Sequence, residues 1–206
     1  MPFLIYHRII IALISRATHI AVPRVKAHPL QQNLNPLPHK TQPKLTPPSL
    51  LQAGASKVFI SSRKSSACDS ACKTLNALPG INPTTQRAIS VPSDSATLEG
   101  IQHLVAEVSK QTPHVDILLA NAGASWGEKF DTHPDSAFAK VMDLNVRGVF
   151  NLIREFAPLL QKRATLEDPS RVVITASVAG LGIGTLGNQG TYGNYLLFLH
   201  MSFRDT

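Results

Sequence analysis

Gly182-Ile183-Gly184-Thr185-Leu186-Gly187 has the glycine spacing that lets a backbone approach a dinucleotide pyrophosphate. That chemistry also needs a helix opening directly behind the glycines and an acid about 20 residues further on. Asn188-Gln189-Gly190-Thr191-Tyr192-Gly193 follows instead, so this run is read as a loop. Cys68 and Cys72 stand four residues apart on a predicted helix with no histidine at a short spacing, and they are read as core or surface thiols. Two cysteines are too few for a disulfide framework or a four-cysteine zinc site. His103, His114 and His133 are scattered and support no metal site, while Trp126 and Phe130 read as packing residues of a loop.

Better candidates emerge once the elements are laid out. Lys57–Ser61 is a β-branched run and predicts a strand. Ser66–Leu78 predicts a helix, with Ser66 and Asp69 at capping-box-like spacing and Pro79-Gly80 as its stop. Ala88–Val91 predicts a second strand, and Leu98, Ile101, Leu104, Val105 and Val108 then keep a helical period. Val115–Ala120 and Arg171–Ser177 predict two more strands, separated by a long amphipathic helix from Pro134 to about Gln161. The strands are continuous apolar runs that alternate with helices, which implies a parallel sheet covered on both faces. In such a sheet, ligands bind outside the carboxyl ends of the strands. The residues just past those ends are Ser62-Arg63-Lys64, Asp94, Asn121-Ala122-Gly123 and Ser177.

The runs LLANAG (118–123), DLNVRGVF (143–150) and VVITASVAG (172–180), in this order and spacing, resemble the short-chain dehydrogenases/reductases. The likeness is greatest to the branch of 3-oxoacyl carrier-protein reductases and related carbonyl reductases. It covers Ser49–Tyr192, about 70% of the chain. It implies an α/β fold, an incomplete Rossmann-like doubly wound sheet, and hydride transfer between a nicotinamide cofactor and a small carbonyl substrate. Asn121, Ala122 and Gly123 then match the small-residue turn beside the adenosine side of the dinucleotide. Asp94 matches the acid at the adenine edge, a role compatible with capping the following helix. Arg63 and Lys64 stand where an acid would bind the ribose hydroxyl in an NAD-selective site, and cations there suit the 2′-phosphate of NADP. Asn145 matches the asparagine that anchors a water in a proton relay. Ser177 matches the serine that hydrogen-bonds the substrate carbonyl.

The chain also departs from the family pattern. The family's glycine-rich turn, Thr-Gly-x-x-x-Gly-x-Gly, precedes the matched region, yet no glycine precedes Gly54. The family's catalytic pair is Tyr-x-x-x-Lys, whose cation lowers the tyrosine's pKa. Here Tyr192 is followed by Leu196, Tyr195 by Leu199, and the last lysine is Lys162. The expectation is therefore a partial domain over residues 49–193, lacking the first strand and the C-terminal strands, with little or no turnover. The alternative is a non-catalytic remnant that associates with full-length relatives, or with itself, through the long helix 134–161.

The 206 residues carry a net charge of +7, but residues 1–68 hold nine Lys/Arg and no acid. The remainder is slightly acidic and gives no electrostatic case for nucleic acid. Residues 1–48 read as a non-homologous basic leader without a selected fold, with seven prolines between Pro23 and Pro48. Its longest apolar run is the six residues Ile9–Ile14, short of the roughly 20 that span a bilayer. Loss of the family's central first strand would leave two strand edges unpaired, and residues 3–14 are apolar enough to fill that place. Residues 194–206 no longer resemble the family. The expected compartment is the cytosol, with the mitochondrion suggested by the Arg-bearing, acid-free leader.

Overall fold

The computed structural model describes residues 4–7, 13–15, 47–126, 128 and 131–176. Phe130, Ser177, the glycine run 182–187, Tyr192, Tyr195 and the tail 194–206 lie outside them.

Two leader strands, β1 (Leu4–His7) and β2 (Leu13–Ser15), precede helix α1 (Pro47–Gln52). Helix α1 opens on Pro47-Pro48, where a missing N–H costs nothing because the first turn has no intrahelical acceptor. It stops at Gly54, whose φ of +99° suits only glycine, and Ala55 N–H closes back on Leu50 O at 3.1 Å. Strand β3 (Lys57–Ile60), helix α2 (Ser65–Asn76), strand β4 (Arg87–Ser90), helix α3 (Leu98–Ser109) and strand β5 (Ile117–Ala120) follow at the expected places. Strand β6 (Gly123–Trp126) was not anticipated by the sequence pattern. The long helix expected from Pro134 comprises α4 (Asp135–Met142), a π-helical turn (Asp143–Gly148) and α5 (Val149–Gln161). Strand β7 (Arg171–Ile174) is the last described element.

The main sheet has the order β4-β3-β2-β5-β7. The β3–β4 and β5–β7 pairs are parallel, from Lys57↔Arg87 to Ile60↔Ser90 and from Ile117↔Arg171 to Ala120↔Ile174. Alternation along each strand sends side chains to two cores. Phe59 and Leu118 meet α3 and α5 through Ile101, Leu104, Leu152 and Phe156 on one face. On the other, Val58, Ile60 and Ile117 meet α1 and α2 through Leu50, Leu51 and Cys68. Helices on both faces are why these strands read as unbroken apolar runs. Each fully buried large side chain contributes about 1.5–3 kcal/mol.

The central position belongs to β2, which runs antiparallel to both neighbours. Ile14↔Val58 and Ser15↔Lys57 pair it to β3, and Leu13↔Leu118 and Ile14↔Ile117 pair it to β5. The sheet is thus parallel except at its centre. The leader does fill the place that a first strand would take, in the opposite direction. At the outer edge, Ala88 N–H donates to Asn76 Oδ1 (2.7 Å) and Asn76 Nδ2 donates to Ala88 O (3.0 Å), so one side chain covers a peptide of edge strand β4.

Burial, with the nearby Cys68 and Asp69 adding to it, pushes the Cys72 thiol from 9.0 up to about 11. The neutral thiol is the form that the fold favours. Its contribution to stability is complete below the ordinary value of 9.0 and is lost as pH rises through about 11. Iodoacetamide at about pH 8 should therefore label Cys72 slowly in the folded chain and rapidly in urea. Mass spectrometry of the labelled peptides checks this.

Candidate functional site

All the expected ligand-facing residues within the described chain leave the sheet at its carboxyl edge. Beyond β3, Ser62 Oγ accepts from Lys64 N–H (3.2 Å) and donates to Lys64 O (3.3 Å), closing a tight turn that presents Arg63 and Lys64 to solvent. Helix α2 opens immediately behind them at Ser65, so the positive end of a twelve-residue helix reinforces the two cations. Beyond β4 the pairing continues, with Ser93 N–H on Ser62 O at 3.0 Å. Asp94 Oδ1 then accepts from Ala96 N–H at 3.0 Å, and Thr97 caps α3 by accepting from Gly100 N–H at 3.1 Å. Asp94 thus supports the turn into α3 without itself being the helix cap.

Two glycines hold this loop. A Cβ on Gly100 would lie 2.2 Å from Asp94 O, and one on Gly148 would lie 2.4 Å from Ser95 O. Two helices therefore press on successive carbonyls of the loop that carries Asp94. Sequence inspection singled out neither glycine. Gly148 lies in the DLNVRG run, but its partner is 53 residues upstream and only the fold brings them together.

Beyond β5, Asn121 Oδ1 accepts from Thr175 Oγ1 at 2.6 Å, tying the exits of β5 and β7 together. Ala122 follows, and Gly123 begins β6, which pairs with β1 from Leu4↔Trp126 to His7↔Gly123. Asn145 sits in the π-helical turn and is buried. Its Oδ1 accepts from Ala124 N–H (2.9 Å) and its Nδ2 donates to Ala124 O (2.8 Å). One amide side chain thus fixes both backbone polar groups of the β6 residue Ala124. Burial and these bonds explain an asparagine where helix propensity is poor. Gly123 comes against the same side chain, 3.7 Å from Asn145 Oδ1 at its Cβ position. The structure therefore gathers Gly123, Ala124 and Asn145 into one cluster, and it places Arg63, Lys64 and Asp94 on the neighbouring exits of β3 and β4. Ser177 lies outside the described residues, three positions beyond the end of β7.

Three serine hydroxyls at this edge are buried and have no hydrogen-bond partner among the described residues, Ser61 Oγ, Ser90 Oγ and Ser95 Oγ. Ser61 directly follows β3 and Ser95 lies in the loop before α3, beside Asp94. Among the described residues no group of three or more His, Cys, Asp and Glu could hold a metal ion. No described helix is long and apolar enough to cross a membrane.

These exits lie at one edge of an open α/β sheet covered by helices on both faces, where folds of this class bind their ligands. The family model described as short chain dehydrogenase matches residues 46–192, and the chain belongs to that family. It is 36% identical over 156 residues to the rhamnolipids biosynthesis 3-oxoacyl-[acyl-carrier-protein] reductase of Pseudomonas aeruginosa, covering 75% of this chain and 57% of that protein. Among solved structures it is similar to the Pseudomonas aeruginosa RhlG/NADP active-site complex, with a TM-score of 0.66, 35% identity, and coverage of 75% and 57% of the two chains. The alcohol dehydrogenase from Thermococcus sibiricus complexed with 5-hydroxy-NADP has a TM-score of 0.64 at 16% identity, a likeness of fold, covering 76% and 61% of the two chains. The chain thus spans a little over half the length of the curated relative, 57%.

The described residues suit one half of a dinucleotide and not the other. The β3 and β4 exits offer two cations, a carboxylate and buried serine hydroxyls with no partner among the described residues, donors and an acceptor that suit an adenosine carrying a phosphate. The pyrophosphate position, at the carboxyl end of the central strand, does not fit. There the sheet centre is entered by a reversed strand, and no glycine lies in residues 1–53 to bring backbone N–H groups close.

Replacing Asn145 by Ala leaves the buried Ala124 backbone without these two bonds and should destabilise the domain by about 1–3 kcal/mol. Gly148→Ala should cost about as much, because the clash with a backbone carbonyl exceeds the gain of about 1 kcal/mol in helix propensity. Urea denaturation of each variant measures both.

Proposed function

We propose that this domain is the nucleotide-binding part of an NADP-linked oxidoreductase that reduces a small carbonyl compound by hydride transfer. The observation that carries this reading is the pair Arg63-Lys64 on the exit of β3, ahead of the α2 N-terminus, in a chain 35% identical to a protein solved with NADP. When bound, the dinucleotide would supply the hydride. Arg63 and Lys64 would hold the 2′-phosphate, Asp94 would border the adenine, and the turn from Asn121 to Gly123 would line the adenosine side. Asn145 would keep β6 in place for a water relay, and the Ser177 hydroxyl would hydrogen-bond the carbonyl oxygen.

We further propose that the chain does not turn over. Proton transfer at neutral pH needs a phenol whose pKa is lowered by a cation, and Leu196 and Leu199 stand four residues beyond Tyr192 and Tyr195. A non-catalytic role in association with a second copy or a longer relative is favoured by one feature. Phe138 and Phe150 are 44% and 58% exposed on α4 and α5, within the long helix expected to mediate that association. The cytosol is the compartment we propose, with the mitochondrion as the alternative raised by the leader; fractionation of cells that express the tagged chain decides between them.

A thermal-shift titration tests the nucleotide reading. NADP should raise the apparent stability, by about 2.7 kcal/mol at a hundredfold excess over Kd, and NAD by much less. Arg63→Glu should remove the preference for NADP, about a ten- to hundredfold change for a charge-assisted contact. Equal shifts with NAD and NADP count against the reading. No NADPH oxidation with a carbonyl substrate is expected, and measurable turnover refutes the inactivity. Phe150→Glu should shift a self-associating chain to monomer in sedimentation, leaving the fold intact because the side chain is exposed.

A further inference from the structure

We propose that Thr165 is a phosphorylation site for a protein kinase that selects basic residues two and three positions before its acceptor hydroxyl. This goes beyond the nucleotide reading and does not depend on it.

Sequence and exposure carry it together. Lys162-Arg163-Ala164-Thr165-Leu166 places two cations before the hydroxyl and a large apolar residue directly after it. A kinase reads such a charge pattern with its own carboxylates, provided that the segment can lie extended in its cleft. The loop between α5 and β7 meets that condition. Residues 161–169 are all exposed, and Leu166 is 97% exposed, so the fold itself makes no use of its apolar surface.

The loop is also held lightly and locally. Thr165 N–H donates to Asp168 O (3.2 Å), and Thr165 Oγ1 accepts from Asp168 N–H (3.0 Å). Arg163 Nη1 lies 3.8 Å from Asp116 Oδ1 and its Nη2 lies 3.7 Å from Asp168 Oδ2, exposed pairs of a kind that holds little. Ser170 Oγ, 2.6 Å from Leu160 O and 3.2 Å from Val115 O, closes the base of the loop. The segment between Leu160 and Ser170 can therefore be drawn out without taking a buried side chain from the core.

The fold, more than the letters, singles out Thr165. Arg63 and Lys64 stand at the same two positions before Ser66, but Ser66 lies in the first turn of α2 and is followed by Ala67. Extending that segment would unwind the start of a helix.

In the reaction, Thr165 Oγ1 forms a bond to the γ-phosphorus of ATP as the bond to the bridging oxygen breaks. ADP leaves with that electron pair, and the hydroxyl proton passes to a base of the kinase. The product carries about −1.5 to −2 charges beside Glu167 and Asp168, and it competes with Asp116 and Asp168 for Arg163.

Incubating the full chain with a base-directed protein kinase, Mg²⁺ and ATP tests this, with the phosphopeptides mapped by mass spectrometry. Thr165 should carry most of the phosphate, and Thr165→Ala should remove it with an unchanged circular dichroism spectrum. Arg163→Gln should slow incorporation by about tenfold or more. Loss of its ion pairs only frees the loop, so that slowing cannot come from a tighter fold. Leu166→Asp, at a side chain outside the core, should slow it as well. In the phosphorylated chain, ³¹P NMR titration should place the second ionisation of the phosphate lower than in the phosphorylated Arg163→Gln chain. Equal ionisation in the two overturns the pairing with Arg163. No phosphate on Thr165, phosphate chiefly on Ser66, or incorporation indifferent to Arg163→Gln overturns the site.

Discussion

The sheet is organised by the need of β3 and β5 for hydrogen-bond partners on both sides. Each is buried on both faces, between α3 and α5 on one and α1 and α2 on the other. A buried backbone group without a partner costs about 1–3 kcal/mol, so a gap between two such strands is among the costliest defects a sheet can carry. The chain meets the need with β2, a strand of opposite direction that makes two residue pairs on each side. Hydrogen bonding is indifferent enough to direction for this to work. Ligand binding is not, because reversal puts an incoming chain where the fold class has a turn leading into a helix.

Around that centre, the site residues are held by a few backbone contacts that span distant parts of the sequence. Asn145 fixes the Ala124 backbone, Gly148 lies against Ser95, and Gly100 lies against Asp94. The π-helical turn is the local device that makes the first two compatible. It keeps the buried amide of Asn145 on β6 while the chain two turns of residues on continues as an ordinary helix with Phe156 in the core. The β3 and β4 exits and the β6 ribbon are thereby parts of one packed unit.

Much of this was legible in the sequence, for physical reasons that differ by element. Strands β3 and β5 announce themselves because burial on both faces demands unbroken apolar runs, KVFI and ILLA, whereas β4 and β7, only partly buried, show shorter apolar stretches between the helices. Helix α3 does so by its period, although its cap is Thr97 and not Asp94. The exits at Arg63, Asp94 and Asn121 follow once the strands are placed. The long helix runs unbroken over 135–161 as expected, but its π-helical turn was not legible, since residues 143–148 keep helical composition. Strand β6 was hidden because its partner is the leader, and the pairing of residues 4–7 with 123–126 has no local signature. The leader was expected to have no selected fold; its apolar residues 3–14 were only compatible with the central place, and their composition carries no direction.

The two halves of the sheet, β4–β3 and β5–β7, are joined less by hydrogen bonds than by the helices that bridge them. Phe59 and Val91 from one half share a core with Leu118 and Ala120 from the other through Ile101, Leu152 and Phe156. In most doubly wound domains the middle of the sheet is the last region to open. Here the seam runs through the middle, and side-chain packing closes it. Local unfolding would then begin at the centre and spread outward, as two cooperative units parting while each keeps its own parallel pair.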